Sequence, residues 1–127
     1  MKFEIQTSSY FDAEAKRLAK RHRSFANDLE ALQEELLTNP YQGAELTPGI
    51  RKIRMAIASK GRGTSAGARV ITLTYTVSEE SGTIVLLLIY DKSDASSIKM
   101  NVVKRIVRDI GLDLEALQRT GSLKPIE

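Results

Sequence analysis

The alternation of apolar and polar residues predicts that the chain begins with a short strand followed by two helices. Phe3 and Ile5 alternate with polar neighbours, which predicts a strand ending near Thr7. Apolar residues then recur every three or four positions in two successive stretches, which predicts two amphipathic helices joined by a very short turn. Pro40 ends the second helix because proline cannot continue a helix. The two stripes contain Phe11, Ala15, Leu18 and His22, and then Phe25, Leu29, Leu32 and Leu36.

The middle of the chain predicts two strands separated by a glycine-rich loop. After a loop over residues 43–49, every second residue from 53 to 57 is large and apolar, so Lys52 and Arg54 share the opposite face of that strand. Residues 59–67 have no apolar period and contain three glycines, which predicts a long irregular connection. The strand over about 68–77 could bury either side, so its pattern leaves open which face Arg69 occupies.

The last third of the chain predicts a buried strand and a helical end. Residues 84–90 are apolar throughout, as expected for a central strand covered on both faces. A third helix stops at Gly111, and Leu112 starts a short fourth. This order predicts a single α+β domain over 1–127, with a core of about 1–100 and a helical extension over 97–119. We expect the N-terminal helical hairpin to cover one face of a mostly antiparallel sheet and the other face to be partly open. The pattern leaves the strand order open.

Composition excludes several classes of protein. The chain has 127 residues and is 42% hydrophobic and 28% charged, which is an ordinary globular balance. No apolar run reaches the roughly 18 residues of a membrane-spanning helix, so we expect no membrane association. Cysteine is absent, which removes disulfides, thiolate metal sites and cysteine nucleophiles. The N-terminus has no signal-peptide core, so we expect a cytoplasmic protein.

The positive charge of the chain is concentrated in its middle third. Residues 46–78 contain six lysines and arginines and no carboxylate, whereas the two flanks are slightly acidic. The formal net charge of +3 therefore arises from this one segment. A single-sign segment in an otherwise balanced domain suits a polyanion such as RNA or DNA, or an acidic protein.

The usual catalytic and cofactor patterns are absent from the sequence. The only histidine, His22, lies on the apolar stripe of the first helix, where a packing role is more common than catalysis. No histidine pair or carboxylate cluster has metal-ligand spacing, so we expect no metal. The segment Gly61–Gly63 precedes a strand and has the wrong spacing for a phosphate-binding fingerprint, so we expect no nucleotide cofactor.

What remains is a group of cations on the predicted sheet. Lys52 and Arg54 lie two residues apart on one face, Arg69 opens the next strand, and Tyr90 and Lys92 end the last strand. Such groups can bind a phosphodiester and stabilise the charge of its transition state. RNA is the favoured substrate because it supplies its own nucleophile, the 2′-hydroxyl. Composition alone favours a binding face for nucleic acid or an acidic partner over catalysis.

Five segments stand in a characteristic order and spacing: Leu36–Pro40, Gly49–Arg54, Lys60–Gly63, Ala66–Ile71 and Leu87–Ser93. Together they resemble the RelE/ParE superfamily of bacterial toxins. The likeness is strongest to its HigB-like, RelE-type branch. It implies a toxin of a type II toxin-antitoxin system that cuts mRNA in the ribosomal A site and is neutralised by a cognate antitoxin protein. It also implies the RelE/ParE-like arrangement of strand, helical hairpin, sheet and C-terminal helix.

The resemblance implies roles for individual residues. Lys52, Arg54 and Arg69 match the working basic groups of RelE-type toxins, and Tyr90 and Lys92 match the end of the last strand. We expect Lys52 to manage protons, the two arginines to stabilise the phosphate, and Tyr90 and Lys92 to be the remaining catalytic residues. The expected RNA-binding residues are Arg51, Lys60 and Arg62.

Two departures from the family pattern leave other functions open. Thr64 replaces a basic residue of the loop, and Ala66 replaces the first of two paired glycines. The chain also continues past the expected end, which leaves room for a homodimer or an antitoxin contact. The interrupted loop leaves open a non-catalytic module that binds RNA or a partner. The second alternative is a ParE-like inhibitor of DNA gyrase, because the resemblance is to a superfamily whose ParE-like members inhibit gyrase.

Overall fold

The computed structural model describes residues 1–61 and 63–123 and has an α+β fold, as predicted. Four α-helices and five strands follow one another along the described chain, with two short 3-10 turns between the third and fourth strands. The elements are β1 (Lys2–Thr7), α1 (Ser9–Arg21), α2 (Phe25–Thr38), β2 (Ala44–Thr47), β3 (Ile50–Met55), the turns Ala58–Lys60 and Gly63–Ala66, β4 (Ala68–Thr76), β5 (Ser81–Asp91), α3 (Met100–Asp109) and α4 (Leu114–Thr120).

The five strands form one mixed sheet in the order β1-β5-β4-β3-β2. β1 runs parallel to β5, whereas the β5–β4, β4–β3 and β3–β2 pairs are antiparallel. The prediction of a mostly antiparallel sheet is therefore confirmed. β5 lies inside the sheet and is buried along almost its whole length, as its unbroken apolar run predicts.

β2 is the one strand that the pattern does not predict. Its four residues are exposed or half-buried, and its pairing with β3 is irregular between Glu45 and Thr47. An edge strand with no buried face has no apolar alternation to detect. Its pairing with β3 ends at Lys52, so the continuation of β3 from Ile53 has no strand on its outer side within the described chain.

The helical hairpin covers one face of the sheet. Ser8 caps α1 by accepting a hydrogen bond from the Phe11 amide at 3.0 Å, and its hydroxyl donates to the Leu87 carbonyl oxygen at 2.6 Å. This contact fixes the start of α1 against β5. The predicted stripes then face the sheet, and their most deeply buried side chains are Phe11, Leu18, Phe25, Leu32 and Leu36.

The C-terminal helices cover most of the opposite face, which was predicted to be partly open. Val103, Ile106 and Val107 of α3 are buried against β4 and β5. Leu123, beyond α4, is also buried in this cluster. The face remains accessible at β3, where Lys52 is half-buried and Arg54 is exposed. In the described part of the chain, no helix has both the length and the hydrophobicity to cross a membrane.

Candidate functional site

Three side chains from three neighbouring strands form a row across the sheet. Arg54 of β3 lies directly opposite Arg69 of β4, and Arg69 lies directly opposite Tyr90 of β5. Directly opposite residues in antiparallel strands project from the same face, and neighbouring strands are about 4.8 Å apart. The row therefore spans about 10 Å. Lys52, two residues before Arg54, projects from the same face.

The register decides the orientation of Arg69, which the sequence pattern leaves open. Arg69 shares the face of Arg54 and Tyr90, whereas Ala68 and Val70 pack under the helical hairpin. Lys52, Arg54 and Arg69 thus share one face of the sheet. We refer to Lys52, Arg54, Arg69 and Tyr90 as the basic row.

The two ends of the basic row differ in exposure. Arg69 is 4% exposed and Tyr90 is 5% exposed, whereas Arg54 is exposed and Lys52 is half-buried. The Arg69 Nη1 donates to the Ala68 carbonyl oxygen at 3.1 Å. A ligand from solvent therefore meets Lys52 and Arg54 first, and contact with Arg69 requires a phosphate to enter between them or the side chain to move.

Tyr90 places a hydroxyl group beside Arg69. Burial raises the pKa of Tyr90 above its ordinary value, and the nearby Arg69 charge opposes that shift. The hydroxyl is buried and makes no hydrogen bond to the residues that the structure describes. At neutral pH the phenol therefore keeps its proton and can donate a hydrogen bond to an anion.

Arg51 lies on the other side of the sheet from the basic row. Its guanidinium stacks over the Tyr41 ring, 5.2 Å from the ring centroid, and its Nη2 donates to Glu45 at 3.2 Å. Arg51 is 7% exposed, and the Tyr41 ring also packs edge-on against Phe3. The structure thus places this predicted RNA-binding residue in the packing beneath the hairpin. Strand alternation agrees with this placement, because Arg51 has the same parity as the buried residues Ile53 and Met55.

The predicted basic loop is fixed to the body of the domain. Asp28 accepts a hydrogen bond from the Ala58 amide at 3.1 Å, and the Ser24 hydroxyl accepts one from the Ser59 amide at 2.9 Å. The Lys60 ammonium donates to Asp91 at 2.8 Å, and the lysine side chain is 19% exposed. Lys60 is therefore held by a carboxylate rather than projecting from the loop. Arg62 lies outside the described residues, as does the side chain of Thr64.

Asp91 is a central polar residue that the sequence pattern treats only as the end of a strand. Its side chain is fully buried, and it accepts hydrogen bonds from Lys60, from His22 at 2.8 Å, and from the amide and hydroxyl of Ser93 at 2.9 and 2.7 Å. Burial alone would raise the pKa of Asp91, but the hydrogen bonds from Lys60, Ser93 and His22 outweigh burial and hold the pKa well below its ordinary value. His22, which directly follows the last residue of α1, thus contacts a buried carboxylate.

Lys92 belongs to the surroundings of Asp91. Its amide donates to the Gly67 carbonyl oxygen at 2.9 Å, and its exposed side chain lines a surface pocket with Arg21, His22 and Lys60. The predicted site residues therefore fall into two groups. The basic row lies on the face of α3, and the Lys60–Lys92 pocket lies at the end of β5 beside α1.

The chemistry of the basic row suits a phosphodiester. It combines three cationic side chains with a protonated phenol, and all four can donate hydrogen bonds to a phosphate. Within residues 1–61 and 63–123, no group of three histidines or carboxylates could hold a metal ion. A comparison of the chain with models of known protein families finds no match.

Proposed function

We propose that this protein is a ribonuclease toxin of the RelE type that cleaves mRNA on the ribosome and is neutralised by a partner antitoxin. The observation that supports the proposal is the register of β3, β4 and β5, which aligns Arg54, Arg69 and Tyr90 with Lys52 beside them. The resemblance of five sequence segments to RelE-type toxins assigns function to the same residues.

The proposed reaction is transfer of the phosphoryl group to the neighbouring 2′-oxygen of RNA. The bond between the 2′-oxygen and phosphorus forms while the bond from phosphorus to the 5′-oxygen breaks, giving a 2′,3′-cyclic phosphate and a 5′-hydroxyl. Solvent takes the proton of the 2′-hydroxyl, and the Lys52 ammonium donates a proton to the departing 5′-oxygen. Arg54 and Arg69 stabilise the additional negative charge on phosphorus, and Tyr90 donates a hydrogen bond to a non-bridging oxygen.

The partner antitoxin follows from the same surface. A cationic face that binds RNA also attracts an acidic segment of protein, and such a segment would exclude the substrate and lower the positive potential. Co-purification of the chain with the product of an adjacent small reading frame tests this part of the proposal.

Cleavage is tested by inducing the chain in bacteria and mapping the 5′ ends of cellular messages. The proposal expects cuts in translated messages that are in phase with codons. DNA breaks and a DNA-damage response without such cuts would instead indicate inhibition of gyrase. RNA binding without cuts would indicate a non-catalytic module, an alternative favoured by the near-complete burial of Arg69.

Two substitutions test whether the basic row does the chemistry. Arg54→Gln removes an exposed charge, and we expect cleavage by purified protein on programmed ribosomes to fall about 100-fold, as for loss of one transition-state donor. Arg119→Gln is the matched control, because Arg119 is an exposed residue of α4 outside the row. Equal activity of the two variants would contradict the assignment.

Tyr90→Phe separates function from folding. The change removes a buried hydroxyl that makes no hydrogen bond to the described residues, so stability should stay constant or rise slightly. Cleavage should fall because the phosphate loses a donor. A Tyr90→Phe protein with full activity would exclude Tyr90 from the reaction.

A further inference from the structure

The pocket at the C-terminal end of β5 is a second cationic site, apart from the basic row. It has a volume of about 410 Å³ and is lined by Arg21, His22, Lys60, Ala66, Asp91, Lys92 and Ser93. Three of these side chains are cations and one is a carboxylate. Arg21 comes from α1, Lys60 from the glycine-rich loop and Lys92 from the end of β5, so the fold brings together charges that are far apart in sequence.

The single carboxylate of the pocket lining offsets one of its three cations, Lys60. Asp91 is fully buried, and its oxygens accept hydrogen bonds from Lys60, His22 and Ser93. Asp91 therefore anchors the pocket wall and balances Lys60, and the exposed cations of the lining are Arg21 and Lys92.

Arg21 and Lys92 are the cations that reach solvent most freely. The side chain of Arg21 is 39% exposed, is paired with Asp94 at 2.7 Å and lies 4.0 Å from Asp91. Lys92 is exposed and makes no ion pair with a carboxylate of the described residues. An anion that enters the pocket could thus pair with Lys92 without breaking an existing ion pair, and it would lie near the guanidinium of Arg21.

We propose that this pocket binds a backbone phosphate of the RNA strand, at a nucleotide outside the one that is cleaved. The inference rests on the proposed function for the identity of the strand. Tyr90 and Asp91 are consecutive residues of β5 that project from opposite faces, and Lys92 follows them. A single strand that passes around the end of β5 can therefore place one phosphate at the basic row and another in the pocket.

The experiment measures binding of a fully 2′-O-methylated RNA hexamer, which lacks the attacking hydroxyl, to the complete chain as a function of salt. Lys92→Gln should weaken binding about fivefold at 0.1 M salt and reduce the slope of log K against log salt by about 0.7, the value for one phosphate contact in a single strand. Lys2→Gln is the matched control. Lys2 is exposed and pairs with Ser81, at the opposite end of β5.

The outcomes separate this inference from the proposed function. On programmed ribosomes, Lys92→Gln should raise the concentration needed for half-maximal cleavage and leave the rate at saturation unchanged, whereas Arg54→Gln should lower that rate. If the wild type binds the hexamer through Lys92 but does not cleave mRNA on programmed ribosomes, the pocket inference is supported and the nuclease assignment is wrong. If Lys92→Gln binds like Lys2→Gln, or the wild type does not bind, the pocket inference is wrong even where cleavage is observed.

Discussion

Replacing Asp91 by asparagine should destabilise the protein strongly, although the two side chains have nearly the same size. Asp91 is fully buried and forms an ion pair with Lys60 at 2.8 Å. Asparagine can still accept from Lys60 and Ser93 through its oxygen, but it carries no charge to balance the ammonium. A largely buried lysine without its counter-charge destabilises the folded state.

The magnitude follows from the exposure of the partner that remains. Breaking a fully buried ion pair costs about 3–5 kcal/mol. Lys60 keeps 19% of its side-chain area exposed and can move partly into solvent, so we expect a smaller loss, about 2–4 kcal/mol. For a chain of this length, that loss lowers the thermal midpoint by roughly 8–16 °C.

Urea unfolding followed by far-ultraviolet circular dichroism measures the effect, with equal m-values as the check that both proteins unfold in the same way. Asp94→Asn is the control. It makes the same chemical change three residues later, at a side chain that is 36% exposed and pairs with Arg17 and Arg21 at the surface. We expect the control to unfold nearly as the wild type does, because exposed ion pairs contribute little. An Asp91→Asn protein within about 0.5 kcal/mol of the wild type would refute the reasoning.

Two further predictions concern pH and the C-terminal segment. Folding lowers the pKa of Asp91, so its contribution to the free energy of unfolding should be complete above about pH 5 and be lost as the pH falls below the ordinary carboxyl value of about 3.9. Urea titrations should therefore show the difference in unfolding free energy between wild type and Asp91→Asn decreasing in acid. A difference that does not change with pH would contradict this prediction. Leu123→Ala should lower the free energy of unfolding by about 2–5 kcal/mol, because Leu123 is 4% exposed and packs over Gly49. A thermal midpoint unchanged from the wild type would show that Leu123 does not contribute to the core.

The sequence predicts the elements that have a strong apolar period. α1 and α2 bury the predicted stripes, and β5 is the buried inner strand that its apolar run indicates. The orientation of Arg69 could not be predicted, because β4 buries residues on both faces and only its pairing with Arg54 and Tyr90 decides the side.

The Asp91 cluster has no signature along the chain. His22 and Lys60 lie 69 and 31 positions before Asp91, and neither spacing belongs to a local motif. The burial of Arg69 and Tyr90 is equally invisible, since composition shows only a basic segment that could lie at the surface. In this protein, tertiary packing determines which of the predicted cations reach solvent.

The pairing of β1 with β5 has a consequence for synthesis of the chain. Residues 2–7 pair with residues 81–86, so β1 is synthesised about 80 residues before its partner strand β5. Contacts between such distant segments close late in folding and slow it. An incomplete nascent chain that stops before β5 therefore lacks the strand that joins β1 to β4, and with it the scaffold on which Tyr90 meets Arg69.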